Sequence, residues 1–233
     1  MIKEQPHKKT TERRGLLFVV SAPSGTGKTT LCKELIGQVS GLHHSVSYTT
    51  RQPRPGEVHG REYVFIDEPS FQQMVDRNEF AEWARVYGNF YGTPRAGLIG
   101  MLNHGTDVLL EIDAQGAMQI KKRFDDAVYI YIMPPSIHAL RNRLLNRAGD
   151  SPEEIERRLQ KAREELWHYR EYYYIVKNDD MRLALKQLEA IVVAERIKTK
   201  RLDLSWLEEN FIREKDTRRV EQGCYQDKGE RTP

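Results

Sequence analysis

Four short stretches of the chain are almost continuously apolar: LLFVV, DVLLEID at 107–113, AVYIYIM at 127–133 and YYIVKN at 173–178. Such runs are typical of strands in a parallel sheet that is buried on both faces. Segments with helical spacing of apolar residues lie between or after them. The alternation predicts an α/β fold with right-handed crossovers between parallel strands.

Two segments interrupt this alternation. From about Val46 to Pro94 the chain shows short alternating strands, SVSYTT and REYVFID, which predict a small and partly antiparallel insertion. Residues 136–172 form a strongly charged helical pair, and the second helix opens on Ser151-Pro152-Glu153-Glu154. The serine can cap this helix, and the glutamate three residues later completes a capping box. The proline fits the first helical position.

A last amphipathic helix is predicted after Asp180, which is placed to cap it. Its inward face carries Leu185, Leu188, Ile191, Val192 and Glu195. Residues 1–14 are predicted to be a disordered basic arm, and residues 201–233 a charged tail whose one possible helical turn is LSWLEENF. These boundaries assign residues 15–46, 96–135 and 173–200 to the core, 47–95 to the insertion and 136–172 to the helical pair.

Composition narrows the function classes only slightly. Hydrophobic residues make up 39% and charged residues 30% of the chain, and the net charge of +3 is too small to indicate nucleic-acid binding. Cys32 and Cys224 are too few and too far apart for a disulfide framework or a zinc site, so we expect a reducing compartment. With no apolar core for a secretory signal and no apolar run near the ~20 residues of a membrane span, a cytoplasmic protein without a membrane partner is expected.

The first candidate chemistry follows the first apolar strand. APSGTGKT at 22–29 matches the phosphate-loop pattern G-x-x-x-x-G-K-[ST], except that Ala22 stands at the first glycine. In this motif backbone N–H groups surround the phosphates, the lysine reaches the β and γ oxygens, and the hydroxyl binds Mg²⁺. Lys28 and Thr29 occupy those two positions. The motif therefore predicts binding of a nucleoside triphosphate with Mg²⁺.

DVLLEID ends in two carboxylates, Glu111 and Asp113. They fall at the carboxyl end of a predicted strand, near the place where ligands lie in open α/β sheets. Either carboxylate could hold Mg²⁺-bound water, and which one faces the metal stays open here. We assign the metal to Thr29 and Asp113, and the alternative is a carboxylate that simply ends a strand.

A second anion site is predicted in TTRQPRPGEVHGREY, which holds Arg51 and Arg54. A monophosphate carries roughly two negative charges, and planar guanidinium groups bind its oxygens in bidentate fashion. The prolines at 53 and 55 restrict the backbone, so the arginines are partly ordered before a ligand arrives. Tyr63 and Tyr91 could add hydroxyl donors. The alternative is a solvated basic loop.

The chain resembles the bacterial-type guanylate kinases, which move the γ-phosphoryl of ATP onto GMP. The resemblance rests on SAPSGTGKTT, SYTTRQPRPGEVHGREYVF, NEFAEWARVYGNFYGTP, LLEIDAQG and IVKNDD, in the family's order over roughly residues 15 to 199. It implies a P-loop kinase core with a central parallel five-stranded sheet flanked by helices, a small mixed α/β GMP-binding insertion and a helical lid.

The resemblance also implies residue roles in binding GMP. The implied base-reading residues are Ser47, Glu82 and Thr93, with Glu111 or Asp113 nearby, and the implied phosphate-binding residues are Arg51, Arg54, Tyr63 and Tyr91. Guanine presents N1–H and the N2 amine as adjacent donors, which a carboxylate matches, and hydroxyl groups suit its O6 acceptor. Taken alone, Glu82 would be typical of a solvated helix face.

For ATP the resemblance implies contacts from Ala22, Pro23, Ser24, Gly25, Thr26, Gly27, Lys28, Thr29, Thr30 and Asn178, the last of them at the adenine. The implied catalytic set is Lys28, Arg51, Arg143, Arg147 and Arg158, of which the last three lie in the lid. By spacing alone the lid arginines are a charged helix surface. Phosphoryl transfer depends on positioning and charge neutralisation, so no protein nucleophile is expected.

Two other functions share parts of this sequence pattern. Guanylate-kinase-like domains of scaffold proteins have lost catalysis and bind peptides, but the intact phosphate loop argues against that class. A different small-molecule kinase of the same fold would not need Glu82 and Ser47 together. The expected partners are therefore ATP and GMP, with dGMP also accepted, in purine nucleotide metabolism. The oligomeric state, monomer or homo-oligomer, is not predicted.

Overall fold

The computed structural model describes residues 13–145, 152–202 and 204–212. Its strands are β1 (Leu17–Ser21), β2 (Leu42–His44), β3 (Ser47–Thr49), β4 (Tyr63–Phe65), β5 (Phe80–Val86), β6 (Asn89–Pro94), β7 (Asp107–Glu111), β8 (Val128–Met133) and β9 (Tyr174–Lys177). Its longer helices are α1 (Lys28–Gln38), α2 (Glu68–Asp76), α3 (Arg95–Asn103), α4 (Ala114–Lys121), α5 (Ile137–Leu145), α6 (Pro152–Leu166) and α7 (Met181–Arg196).

The core is a parallel sheet in the strand order β2-β7-β1-β8-β9. The predicted fold class is therefore confirmed, and the four apolar runs form β1, β7, β8 and β9. The fifth strand, β2, is the one that the apolar pattern did not locate, because it is only three residues long and two of them are histidines. A strand this short has no readable periodicity, and its pairing with β7 defines it.

Helices cover both faces of this sheet, and side chains of β1 alternate between them. Phe18 and Val20 pack in one cluster with residues of α1 and α7, while Leu17 and Val19 pack in another with residues of α3 and α4. Every residue of β1 is buried. The loop that follows β1 is thus anchored on a rigid strand, and this anchoring positions the phosphate loop.

Residues 47–94 form the predicted insertion, a four-stranded sheet in the order β4-β3-β6-β5. One strand pair is parallel and two are antiparallel, as a partly antiparallel insertion requires. Phe71 of α2 stacks on Phe80 and Phe90 at centroid separations of 4.5 and 5.3 Å, which gives the small sheet an aromatic core of its own. This arrangement makes the insertion a separate subdomain, which we call the acceptor subdomain.

The charged helical pair is formed by α5 and α6. The two helices pack through an apolar seam of Leu140, Leu144, Ile155, Leu159 and Ala162. We call this pair the lid. The predicted capping box at Ser151 lies outside the described residues. The predicted cap at Asp180 is confirmed, because its carboxylate accepts from the Leu183 backbone N–H at 3.0 Å.

Residues 14–195 form one compact unit, and the described residues from Arg196 onward belong to a second unit. In that second unit Thr199–Arg201 forms a 3₁₀ turn, and Ser205–Leu207 forms the helical turn expected in LSWLEENF, continued as π-helix over Glu208–Ile212. Among the described residues, no helix combines the length and the apolar character needed to cross a bilayer. Most of the predicted basic arm, residues 1–12, lies outside the described residues.

Candidate active site

The phosphate loop connects the carboxyl end of β1 to the first residue of α1. Gly27 stands immediately before the helix with φ 91°, and Gly25 has φ 85°, both in the left-handed region that other residues rarely adopt. Between them Thr26 is buried, and its hydroxyl donates to the Pro23 carbonyl at 2.6 Å. The loop is therefore closed on itself, with the N-terminus of α1 directed at its centre.

A predicted lid arginine and the asparagine predicted to contact ATP support this loop from outside. The Thr26 carbonyl accepts from Arg143 Nη1 at 3.0 Å and from Asn178 Nδ2 at 2.8 Å. Arg143 Nη2 also donates to the Asn178 carbonyl at 2.8 Å. The lid arginine and the asparagine after β9 are thus brought together at the phosphate loop, and both are engaged with backbone oxygens in this structure.

Lys28 and Thr29, the first two residues of α1, reach across to the end of β7. Lys28 Nζ donates to the Ile112 carbonyl at 2.9 Å, and the Thr29 hydroxyl donates to Glu111 Oε1. Asp113 is used differently, because its carboxylate caps α4 by accepting from the Gly116 N–H at 2.9 Å. Of the two candidate carboxylates, Glu111 is therefore the one that contacts the predicted metal-binding hydroxyl.

A buried carboxylate lies on the other side of that strand end. Glu82 on β5 is 4% exposed, and its Oε1 accepts from the Thr93 hydroxyl of β6 at 2.6 Å. Burial, opposed by the Thr93 hydrogen bond and reinforced by the nearby Asp113 charge, raises the pKa of Glu82 to about 7. A solvated helix face is thus wrong for this residue: it is a buried strand carboxylate in a site that leaves it easily protonated.

Glu82 lines a cavity of about 190 Å³ at the junction of the core and the acceptor subdomain. The cavity is lined by Lys28, Ser47, Tyr63, Glu82, Ala84, Val86, Tyr91, Glu111, Ile112 and Asp113. The structure therefore brings Ser47 and Glu82 of the predicted base-reading residues, and the two predicted phosphate-binding tyrosines, together with the phosphate-loop lysine. Thr93 reaches this site through its hydrogen bond to Glu82.

A second cavity of about 480 Å³ adjoins the first and shares Tyr63, Tyr91 and Glu111 with it. Its walls also include Thr29, Arg51 and Arg54, so it extends from the metal-binding hydroxyl to the predicted acceptor-phosphate arginines. The Tyr63 and Tyr91 rings, which line both cavities, pack edge to face at a centroid separation of 5.9 Å. Burial raises the pKa of Tyr63, so its hydroxyl stays a neutral donor.

Glu57 organises the arginine loop, a role that the sequence motifs did not indicate. Arg51 Nη2 donates to both oxygens of Glu57 at 2.9 and 3.0 Å, and the Arg54 backbone N–H donates to one of them at 2.8 Å. The Arg51 guanidinium lies 5.5 Å from the centroid of the Tyr63 ring. The one sequence feature that could have indicated Glu57 is its place as a carboxylate within a basic segment, where pairing with an arginine is expected.

The lid contributes Arg158 from α6, where the guanidinium lies 3.5 Å from Glu154 and 5.3 Å from the centroid of the Tyr87 ring. Arg147 lies outside the described residues. Tyr87 belongs to the acceptor subdomain, at the turn between β5 and β6. The lid and the acceptor subdomain therefore meet at a contact that the sequence analysis did not predict.

A phosphate loop at the carboxyl end of the central strand of a parallel sheet, next to a second group of arginines in an adjoining cleft, defines a P-loop kinase of a small phosphorylated acceptor. Comparison with known proteins specifies the family. The guanylate kinase family model matches residues 14–195.

Two relatives are guanylate kinases, from Geobacter metallireducens and Caldanaerobacter subterraneus subsp. tengcongensis. The first is 52% identical over 191 residues, which cover 82% of this chain and 94% of the relative. The second is 46% identical over 190 residues, which cover 82% of this chain and 92% of the relative. The crystal structure of guanylate kinase from Anaplasma phagocytophilum matches with a TM-score of 0.72 at 33% identity, covering 86% of this chain and 97% of that one. The chain belongs to the guanylate kinase family, whose members are ATP:GMP phosphotransferases.

Proposed function

We propose that the guanine of GMP occupies the cavity at Glu82, and the buried carboxylate is the observation that carries this proposal. An ionised Glu82 would accept from guanine N1–H and the N2 amine, with Ser47 and Thr93 as hydroxyl partners close by. Adenine would place its N1 acceptor against the same carboxylate and leave a buried polar group unpaired. Sites built this way discriminate by roughly 10⁴-fold.

The phosphate of GMP is proposed to lie between the arginine loop and the two tyrosines. Arg51 is already held by Glu57 and by the face of Tyr63, so little side-chain freedom is lost on binding. Arg54 is exposed and adds a second guanidinium, while Tyr63 and Tyr91 add hydroxyl donors. The cavity shared with Glu111 supports a position for this phosphate next to the phosphate loop.

The phosphates of ATP are proposed to lie in the loop at 22–30, against the N-terminus of α1. Lys28 would exchange its hydrogen bond to the Ile112 carbonyl for the β and γ oxygens. Arg143 and Asn178 would keep the loop in shape through the Thr26 carbonyl. The adenine contact implied for Asn178 stays a prediction, and its amide nitrogen is the group already engaged.

The oxygens of Thr29 and Glu111 fit Mg²⁺, because this ion prefers oxygen ligands and is usually bound by one or two carboxylates together with substrate phosphates. When bound, Mg²⁺ would supply charge neutralisation at the β and γ oxygens. The contact between Thr29 and Glu111 favours Glu111 over Asp113 for this role, which revises the assignment made from the sequence. Asp113 instead caps the N-terminus of α4 and lines the cavity proposed for guanine.

Transfer then needs the two phosphates in line and their charge neutralised. Lys28 and Arg51 would act on the donor and acceptor sides, and Arg143, Arg147 and Arg158 would complete the charge set from the lid. Closure of the lid would also exclude water, which otherwise competes as the phosphoryl acceptor. The chain's own contribution is orientation and electrostatics, without a covalent intermediate.

The deciding experiment measures ADP release with GMP, dGMP, AMP, CMP and UMP as acceptors. GMP should be strongly preferred, and comparable rates with AMP would refute the guanine assignment. Lys28→Ala in the same assay should lower turnover by about 10²-fold or more, because it removes charge stabilisation from the transition state. Near-normal turnover of Lys28→Ala would argue against phosphoryl transfer at this loop.

A further inference from the structure

The turn between β5 and β6 consists of Tyr87 and Gly88, since Val86 pairs with Asn89 across the hairpin. Both turn residues have positive φ, 49° for Tyr87 and 85° for Gly88, as in a type I′ turn. Asparagine and glycine are the residues favoured at these positions, and a bulky side chain there is strained. A tyrosine in such a strained conformation points to a use for its ring.

The Tyr87 ring contacts two cations of the lid. Lys161 Nζ lies 4.5 Å and the Arg158 guanidinium 5.3 Å from the ring centroid. Residues three apart on a helix share a face, so α6 presents both cations to the same ring. One side chain at the tip of the acceptor subdomain is thus the meeting point of two cation–π contacts from the lid.

Each cation also has a carboxylate on its own helix. Arg158 lies 3.5 Å from Glu154, and Lys161 lies 3.7 Å from Glu165. The side chain of Arg158 is only 14% exposed. Cation–π attraction is stronger where the cation is shielded from water, and the flanking carboxylates reduce the charge repulsion between the two cations.

We infer that Tyr87 is a positioning residue that docks the lid onto the acceptor subdomain and thereby holds Arg158 in place for phosphoryl transfer. The inference rests on the proposed function, in which Arg158 acts on the transferring phosphoryl group. Opening the lid breaks both ring contacts, so the ring stabilises the docked state relative to the open one. Docking then favours the assembled site, with donor and acceptor both enclosed.

The test is Tyr87→Asn, which removes the ring while creating the Asn-Gly pair that a type I′ turn prefers. The thermal midpoint should be unchanged or higher. The kcat/KM should fall about tenfold, as expected for two cation–π contacts, for GMP at saturating ATP and equally for ATP at saturating GMP. Tyr87→Phe, which keeps an aromatic face, should behave as the wild-type protein.

Lys161→Met provides a second, independent variant, because it removes one cation and retains length and helix propensity. Combined with Tyr87→Asn it should add little to the loss in kcat/KM, since the ring that it contacts is already gone. The inference would be overturned if Tyr87→Asn kept wild-type kcat/KM or lost it only for GMP. It would also be overturned if Tyr87→Phe showed an equal loss, or if the two substitutions had additive effects in the double variant. Failure of the wild-type protein to phosphorylate GMP would instead reject the proposed function.

Discussion

Replacing Gly116 by alanine should damage GMP binding through Glu82, although Gly116 itself is not placed in contact with substrate. Gly116 lies in the first turn of α4, and Asp113, the residue that caps this helix, lines the cavity proposed for guanine. A Cβ built on it would lie 2.3 Å from Glu82 Oε2, 3.1 Å from Glu82 Cδ and 3.3 Å from Asp113 Oδ1. The bare backbone of this residue therefore provides the space that the buried carboxylate occupies.

The size of the effect follows from that distance. Ordinary van der Waals contact with a Cβ begins at 3.4 Å, so the carboxylate or the helix would have to move by roughly 1 Å. Misplacement of a binding group by about 1 Å can cost about 10²-fold in rate, and we expect a loss of that order in kcat/KM for GMP. Glycine to alanine in a helix normally stabilises by about 1 kcal/mol, so a stability loss here would have the overpacked carboxylate as its cause.

The assay is the ADP-release measurement with GMP varied at saturating ATP. Gly116→Ala should raise KM for GMP while the KM for ATP changes little, because the displaced carboxylate belongs to the acceptor side of the cleft. Gly100→Ala is the matched control, since it lies within α3 and its Cβ would meet nothing within 4 Å. Wild-type kcat/KM for GMP in Gly116→Ala would falsify the reasoning, and so would equal losses in the two glycine variants.

Three further outcomes are expected. Burial raises the pKa of Glu82 to about 7 from an ordinary value of 4.5, so between these pH values the folded protein keeps a proton that the unfolded chain loses. The contribution of Glu82 to the free energy of unfolding should therefore fall by about 3 kcal/mol from pH 4.5 to 7. Denaturant titrations at both pH values check this, and Glu82→Gln should abolish that part of the slope. The same variant should reduce the GMP-to-AMP ratio of kcat/KM by at least about tenfold, and an unchanged ratio would remove Glu82 from base recognition. Glu111→Ala should raise the Mg²⁺ concentration needed for half-maximal activity by about tenfold, whereas Asp113→Asn should not, in Mg²⁺ titrations at fixed ATP.

Features encoded locally were predictable from the sequence. The apolar runs of β1, β7 and β8, the phosphate loop and the Asp180 cap all depend on residues within a few positions of one another. Their physical causes, burial on both faces, backbone freedom at glycine and satisfaction of helix N–H groups, act over the same short distances. A pattern can therefore reveal them without knowledge of the tertiary fold.

Features that depend on distant partners were not predictable in this way. The sequence neighbours of Glu82 are a mixture of polar and apolar residues, as on a solvated surface. The residue is buried by α4, which lies more than thirty positions further along the chain. The family motif around Glu82 indicated its role, but not the strand or the crowding by Gly116. The Tyr87 ring likewise has its partners on α6, so its sequence neighbours show only an unfavourable residue in a turn.

Three consecutive residues at the carboxyl end of β7, 111–113, contact elements on both sides of the cleft. Glu111 accepts from Thr29 of the donor loop, the Ile112 carbonyl accepts from Lys28, and Asp113 caps α4, the helix that packs against Glu82. Lys28, Thr29 and α4 are therefore attached to the same stretch of backbone, at the end of a strand buried between two others. Since a strand end in a packed sheet moves little, this backbone holds the phosphate loop and the helix that packs against Glu82 at a fixed separation.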